Sequence, residues 1–287
     1  MDDRRGNGIA TATALGAFGL WGVLPLYWKA LGNIGTLTVV AHRILWSLAI
    51  LMPLLALQSR LGEIRAAFAK PRLLCWHFVS GLLLGTNWFV YIHATLTNRI
   101  MEGALGYFLN PLFSVALGWL LLKEPRSHNQ ILAITLATVG VIIQSTAIAG
   151  IPWIALTLAG SFALYALARK KSPLGSVDGL AVETLMMVPV AIAILWNVPS
   201  PSAAPALLER VLLAGTGLAT TVPLIFFAFA ARRMRLATLG MLQFLGPTMQ
   251  FLIGLFVYHE PISPVRLVSF VFIWLGVGVF IRNMRES

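Results

Sequence analysis

Long apolar runs separated by short polar breaks are the dominant pattern along this chain of 287 residues. A helix that crosses a bilayer needs about 20 largely apolar residues. Ten runs approach or reach that length. They cover residues 8–31, 35–57, 72–96, 102–122, 127–147, 150–169, 178–196, 207–231, 237–258 and 264–282. The pattern therefore predicts an all-α integral membrane protein with ten transmembrane helices.

Composition and charge agree with this prediction, and they argue against a water-soluble protein and against nucleic-acid binding. Only 11% of the residues are charged and 58% are hydrophobic, whereas a soluble protein carries about twice that share of charge. The net charge of +11 would indicate nucleic-acid binding in a soluble chain. Here the basic residues lie in short connections between apolar runs, so we expect the partner to be the lipid bilayer and expect no nucleic acid.

The distribution of lysine and arginine orients the chain in the membrane. If the N-terminus is cytoplasmic, 16 of the 21 basic residues fall on the cytoplasmic side, four fall outside and Arg43 lies within a run. Cytoplasmic loops of membrane proteins carry this excess of basic residues. We therefore expect both termini to be cytoplasmic. The longer connections are a basic, amphipathic stretch at 58–71 and a stretch rich in Pro and Ser at 197–206.

A gapless internal repeat divides the chain. Residues 81–144 align with residues 217–280 at a constant offset of 136, with 13 identities in 64 pairs. Ten runs in two halves give five runs per half, and an odd number places the halves upside down relative to each other. The predicted repeats are residues 1–148 and 149–287. The identical pairs include Gly81/Gly217, Pro111/Pro247, Gly118/Gly254, Glu124/Glu260 and Gly140/Gly276.

Several segments, in order along the whole chain, resemble the RarD family of EamA-type transporters in the drug/metabolite transporter superfamily. They are HRILWS at 42–47, NW at 87–88, EGALGYFLNPL at 102–112, SFALY at 161–165, RKK at 169–171, ET at 183–184, TTVPL at 220–224 and LGMLQFLGPT at 239–248. The resemblance implies two inverted five-helix repeats, a bacterial inner membrane and a transport function. RarD proteins are usually labelled chloramphenicol-sensitivity proteins, and their physiological substrate is poorly defined.

Two charged residues within the apolar runs are candidates for function. Arg43 costs about 2–3 kcal/mol in a membrane unless it is paired or hydrated, and it could bind a substrate carboxylate. Snorkelling to the head groups or a structural ion pair are the alternatives. Glu183 is a candidate for proton coupling, because it is the one carboxylate clearly inside a run. Its alternatives are a helix-terminal role or pairing with the basic cluster at 169–171.

Prolines at matching positions indicate where the solute binds. Pro111 and Pro247 fall in the middle of the fourth and ninth runs, and kinked helices at corresponding positions of two halves indicate a central site. A purely structural kink is the alternative. The predicted lining is Trp21, Asn87, Trp88, Tyr91, Tyr107, Asn110, Tyr165 and Gln243. For any one aromatic residue, core packing or a role as a membrane-interface anchor is the alternative. Recognition is expected where the repeat is broken, at Tyr107/Gln243 and Asn110/Gly246.

The sequence thus predicts a secondary-active exporter of small amphipathic or zwitterionic metabolites such as amino acids, with drugs such as chloramphenicol as further solutes. A membrane-embedded lipid-modifying enzyme and a non-transporting scaffold are the alternatives. We expect no enzymatic activity, no cofactor and no metal site, because the five histidines form no HExxH motif, Cys75 is the one cysteine and there is no phosphate-binding loop. The sequence leaves open whether the protein is a monomer or a homodimer.

Overall fold

Helices are the only regular secondary structure in the ranges that the computed structural model describes, which are residues 2–31, 34–96, 100–146, 151–198, 206–257 and 264–286. The prediction of an all-α protein is confirmed. The helices are α1 (Asp2–Ala30), α2 (Thr36–Leu57), α3 (Leu61–Phe68), α4 (Pro71–Leu96), α5 (Ile100–Leu120), α6 (His128–Ser145), α7 (Trp153–Lys171), α8 (Ser176–Asn197), α9 (Leu207–Arg233), α10 (Leu236–Leu242), α11 (Leu245–Phe256) and α12 (Pro264–Glu286).

Length and apolarity qualify seven segments of the described chain to cross a membrane. They are Gly8–Trp28, Leu37–Leu57, Pro71–Tyr91, Ser176–Asn197, Leu207–Arg233, Leu236–Phe256 and Pro264–Arg282, and α5 contributes a shorter apolar stretch, Leu105–Leu120. The two long helices outside this set, α6 and α7, carry buried polar residues such as Gln130 and Arg169. A helix surrounded by protein can carry such residues. Helix occupies all ten predicted runs, but the count of ten spans stays a prediction.

The main helix contacts join the two predicted halves. α6 packs on α12, α5 on α10 and α2 on α8. Six further contacts between the halves come in corresponding pairs: α5 with α7 and α1 with α11, α4 with α7 and α1 with α9, and α4 with α8 and α2 with α9. This pattern is unchanged when the halves are exchanged, as a two-fold relation between repeats would require. The division into repeats stays a prediction, and its boundary lies at residues outside the described ranges.

Gly140 and Gly276, which are a pair in the sequence repeat, lie where α6 and α12 touch. A Cβ atom at Gly140 would lie 2.6 Å from the Ser269 carbonyl oxygen, and one at Gly276 would lie 2.5 Å from the Ala133 carbonyl oxygen. The Ser269 hydroxyl donates to the Gly140 carbonyl at 2.7 Å. Small residues at such contacts allow two backbones to approach closely, so this repeated glycine sets the distance between the last helices of the two halves.

The ninth predicted run is two helices, because the chain leaves the α-helix at Gln243 and Phe244. Pro247 has no N–H to donate to the Gln243 carbonyl one turn earlier. The Gly246 N–H bonds to that carbonyl instead, at 3.2 Å, in a tighter turn. By contrast, α5 is helical through Pro111. The matched prolines therefore have different local effects, and the second half alone has an interrupted helix at this position in the described chain.

Candidate functional site

A central cavity of about 160 Å³ lies between helices of both halves. Ten residues that the sequence singled out line this cavity: Trp21, Arg43, Asn87, Trp88, Tyr91, Tyr107, Asn110, Gln243, Gly246 and Pro247. The other lining residues are Phe18, Leu24, Pro25, Trp28, Leu84, Phe162, Leu224 and Gln250. All four members of the pairs Tyr107/Gln243 and Asn110/Gly246 are among these residues, so both positions at which recognition is expected lie at the cavity wall.

The Arg43 guanidinium is held against the cavity wall by three side chains. Its carbon lies 4.9 Å from the ring centroid of Trp28 and 4.9 Å from that of Trp88. Its Nε donates to the Thr220 Oγ1 at 2.9 Å. Within the described residues, no carboxylate lies within 4.0 Å of Arg43 and its two terminal nitrogens have no protein acceptor. The geometry therefore leaves the forked end of the guanidinium available to an anionic group in the cavity.

Two buried amide side chains add hydrogen-bond acceptors to the cavity. The Asn110 Oδ1 and the Gln243 Oε1 have no hydrogen-bond partner among the described residues. The Gln243 Nε2 donates to the Ser114 Oγ at 3.3 Å, which orients the amide. An unpaired buried acceptor costs about 1–3 kcal/mol. A solute with N–H or O–H donors would remove that cost, so both amides are suited to bind such a group.

Contacts between neighbouring helices hold the other polar side chains of the cavity wall in position. The Asn87 Nδ2 donates to the Leu158 carbonyl at 2.9 Å and to the Ser161 Oγ at 3.2 Å, which ties α4 to α7. The rings of Tyr91 and Tyr107 meet edge to face, with centroids 5.7 Å apart, and connect α4 to α5. These side chains present a mixed aromatic and polar surface next to Arg43.

Aromatic rings pack together at the part of the cavity wall that Trp21 and Phe162 line. The Trp21 ring meets those of Phe162 and Phe227, each at a centroid distance of 5.6 Å. Tyr165, which the sequence placed on the lining, does not reach the cavity. It is fully buried and stacks on Phe227 at 6.0 Å, with its hydroxyl donating to Glu183 at 3.4 Å. Phe162, almost one helical turn earlier, occupies the lining position because Tyr165 is directed to the carboxylate.

Glu183 is the centre of a buried cluster of ionisable and polar groups, which we call the Glu183 cluster. Its Oε1 accepts from the Ser80 Oγ at 2.6 Å and from the Arg169 Nη1 at 3.2 Å, and it lies 3.3 Å from the His77 Nδ1. Tyr165 completes the cluster. Glu183 is 1% exposed and Arg169 is fully buried. Glu183 does not line the central cavity, and its pairing with Arg169 matches one of the two structural alternatives; a coupling role stays a prediction.

A second set of charged contacts joins the halves at the connections that the charge distribution assigns to the cytoplasm. The Glu124 carboxylate accepts from the backbone N–H groups of Leu236 at 2.6 Å and Ala237 at 2.9 Å, at the start of α10. The Lys170 Nζ lies 3.8 Å from the Glu124 Oε1. Burial lowers the pKa of Lys170, and the Glu124 carboxylate partly opposes this effect. Glu260, the repeat partner of Glu124, lies outside the described residues.

The residue that precedes the short helix α3 and the end of α9 make further charged contacts at the same end of the protein. Arg60, just before α3, donates to the Asp178 Oδ2 of α8 at 2.6 Å. Arg232 at the end of α9 donates to the backbone carbonyls of Ser172 and Leu174 between α7 and α8. Charged side chains thus tie together the connections at this end of both halves.

Two cavity residues that the sequence analysis did not single out could have been found from helical spacing. Trp28 lies seven residues after Trp21, and Gln250 lies seven residues after Gln243. A separation of seven places two side chains on one face, two turns apart. The described residues contain no group of three His, Cys, Asp or Glu side chains that could hold a metal ion.

Comparison with known proteins gives consistent matches. Residues 8–146 match the EamA-like transporter family. The chain is 40% identical over 281 residues to Protein RarD of Streptomyces exfoliatus, covering 95% of this chain and 89% of that protein. It is 36% identical over 275 residues to Protein RarD of Escherichia coli K12, covering 94% and 93%. A solved crystal structure with 18% sequence identity has the same fold, with a TM-score of 0.74 over 97% of this chain and 99% of that one.

Proposed function

The chain belongs to the RarD family of EamA-type membrane transporters, and from this premise we propose that it is a secondary-active exporter of small amphipathic or zwitterionic metabolites. Amino acids and related compounds are the proposed substrate class, and chloramphenicol is a second candidate solute. The protein binds the solute in the central cavity and works by alternating access rather than by catalysing a reaction. The bilayer surrounds it as a multi-pass membrane protein.

The observation that carries this proposal is the combination of one available cation with two unpaired acceptors in a single aromatic-walled cavity. The terminal nitrogens of Arg43 match a carboxylate, which a guanidinium binds through two parallel hydrogen bonds. The Asn110 Oδ1 and the Gln243 Oε1 match an ammonium or amide N–H. The rings of Trp28 and Trp88 provide apolar surface beside the cation. A zwitterion with an apolar body satisfies all three features.

The proposed orientation in the membrane identifies which side of the cavity is closed in the described conformation. In the proposed orientation both termini lie on the cytoplasmic side of a bacterial inner membrane, and residues 1–148 and 149–287 form inverted five-helix repeats. In this orientation the aromatic rings, the Glu183 cluster and the Glu124 contacts all lie between the cavity and the cytoplasm. The described conformation then has its cytoplasmic side closed. The exchange symmetry of the helix contacts supports a rocking motion of one repeat against the other.

We retain Glu183 as the proposed coupling residue, and its ion pair with Arg169 gives the proposal a mechanism. Protonation would neutralise Glu183 and leave Arg169 without its carboxylate partner. A buried charge that loses its partner is strongly unfavourable. Proton binding would therefore favour separation of α7 from α8 at the closed side. Transport that is unchanged when the proton gradient is collapsed would remove this role from Glu183.

Derivatives of one amino acid test how the cavity recognises its solute. The purified protein is first screened for binding against the standard amino acids, and the tightest-binding one is compared with its methyl ester by calorimetry. The ester should bind about 10- to 150-fold more weakly, because it cannot accept the paired hydrogen bonds of Arg43 and this loss is worth about 1.5–3 kcal/mol. The N-acetyl derivative, which keeps one N–H donor where the ammonium has three, should also bind more weakly because it cannot satisfy both amide oxygens.

The Arg43→Gln variant is the control for this comparison. It should bind the acid and the ester with similar affinity, because the group that distinguishes them is gone. Equal binding of acid and ester to the unaltered protein would contradict recognition of a carboxylate. Binding of chloramphenicol without binding of any amino acid would favour the second candidate solute.

A further inference from the structure

A second cavity, of about 10 Å³, lies between the central cavity and the Glu183 cluster. It shares Leu84, Trp88 and Leu224 with the lining of the central cavity. Its polar lining residues are Ser47, Glu183, Thr184, Thr220 and Thr221. The volume corresponds to about one water-sized probe, and a buried water needs two to four polar partners as well as this space.

Some polar groups around this small cavity have hydrogen-bond partners, and one has none among the described residues. The Thr184 Oγ1 donates to the Leu180 carbonyl at 2.7 Å, and the Ser47 Oγ lies 3.5 Å from the Gly217 carbonyl. The Thr221 Oγ1 is buried and has no hydrogen-bond partner in the described chain. Buried hydroxyls are normally hydrogen-bonded. The cavity therefore lies beside a hydroxyl that requires a partner.

The two residues on either side of the cavity have hydrogen-bonding capacity to spare. The Thr220 Oγ1 accepts from the Arg43 Nε at 2.9 Å, and its own proton has no acceptor in the described chain. The Glu183 Oε1 has three polar contacts, whereas its Oε2 has one bond, from Tyr165 at 3.4 Å. A carboxylate oxygen has room for a further donor.

We propose that this cavity is a binding site for one water molecule that connects Thr220 and Thr221 to Glu183. The two hydroxyls donate to the water, and the water donates to the Glu183 carboxylate. A continuous hydrogen-bond path then runs from Arg43 through Thr220 and the water to Glu183. Thr220 is a positioning residue for Arg43, and Thr221 holds the water.

This path gives the central cavity a physical connection to the charged groups that close one side of the protein. A solute carboxylate that draws the Arg43 guanidinium towards itself changes the Arg43–Thr220 hydrogen bond. The water transmits that change to Glu183, whose cluster joins α4, α7 and α8. This consequence rests on the proposed function, whereas the water site itself does not.

Thr221→Val tests the water site independently of transport. Valine has nearly the shape of threonine and removes only the hydroxyl. If the cavity is hydrated, the variant loses a hydrogen bond and unfolds at a lower temperature than the unaltered protein. If the cavity is dry, removal of an unpaired hydroxyl raises the unfolding temperature and overturns the proposal. Thr216→Val is the matched control, because the Thr216 hydroxyl on the same helix donates to the Leu213 carbonyl and does not line the cavity.

Binding and transport assays test the coupling path. Thr221→Val should bind the tightest-binding amino acid of the screen with affinity within about threefold of the unaltered protein, yet transport it at least about tenfold more slowly. Thr221→Ser, which keeps the hydroxyl, should restore the rate. A Thr221→Val protein that transports at the unaltered rate would overturn the path. If the unaltered protein transports nothing, the proposed function fails, and the unfolding temperatures still decide the water site.

Discussion

Replacement of Arg43 by glutamine is expected to weaken solute binding by about 10- to 150-fold, because hydrogen bonds to a charged group contribute about 1.5–3 kcal/mol. The Arg43→Gln variant should nevertheless fold and unfold at nearly the temperature of the unaltered protein. The guanidinium makes one hydrogen bond to a described residue, to Thr220, and has no described carboxylate partner. Its removal therefore leaves no charged group unpaired. Calorimetric titration with the tightest-binding amino acid of the screen, together with thermal unfolding, measures both effects.

Two further variants show which property of Arg43 matters. Arg43→Lys keeps the charge but loses the planar fork and the flat contact with Trp28 and Trp88, so binding should be only partly restored. Arg233→Gln is the matched control. Arg233 is exposed at the end of α9 and contacts the Phe229 ring at 3.6 Å, outside the cavity. If Arg43→Gln binds the solute as tightly as the Arg233 control, Arg43 does not bind the solute.

Replacement of Arg169 by methionine is expected to destabilise the protein by about 3–5 kcal/mol, which is the usual cost of leaving one member of a buried ion pair without the other. The side chain also donates to the backbone carbonyls of Gly175 and Ser176, which orders the connection between α7 and α8. A large fall in the unfolding temperature and a loss of monodisperse protein in detergent should both be observed.

The double variant Arg169→Met with Glu183→Gln distinguishes the ion pair from the packing of the arginine. Its stability should exceed that of Arg169→Met alone, because it leaves no uncompensated buried charge. Together with the single variant Glu183→Gln it completes a double-mutant cycle, which gives the coupling between the two residues. Lys171→Met is the control for loss of charge at the same helix end, since Lys171 is exposed. Equal destabilisation by the single and double variants would show that the charge of Glu183 is irrelevant to the effect.

The apolar runs predicted the positions of the helices because lipid imposes a minimum length on each one. The interruption at Gln243 could be anticipated from Pro247, but the uninterrupted course of α5 through Pro111 could not. At this point α5 packs closely on α10, since a Cβ at Gly240 would lie 2.7 Å from the Pro111 carbonyl oxygen. Such a contact involves residues far apart in sequence, and local pattern carries no information on it.

The positions of Arg43, Asn110 and Gln243 could be predicted because polar groups in membrane helices are costly and so indicate a wet or functional interior. Side-chain direction was harder to predict. Tyr165 is at the expected depth but points to Glu183. Arg169 was counted among the basic residues that orient the chain, yet α7 continues past it to Lys171 and buries it beside Glu183. Charge counting along a sequence cannot separate a buried basic residue from an exposed neighbour.

The central claim is that solute bound at Arg43 in the cavity is carried across the membrane. The direct measurement is efflux of the radiolabelled, tightest-binding amino acid of the screen from proteoliposomes that contain the unaltered protein, Arg43→Gln or Arg233→Gln. We expect saturable efflux from the unaltered and Arg233→Gln vesicles, and efflux from Arg43→Gln vesicles that is slower by about 10- to 150-fold at a subsaturating solute concentration. Equal efflux from unaltered and Arg43→Gln vesicles, or no efflux above the lipid background from either, would contradict the proposal that solute bound at Arg43 is transported.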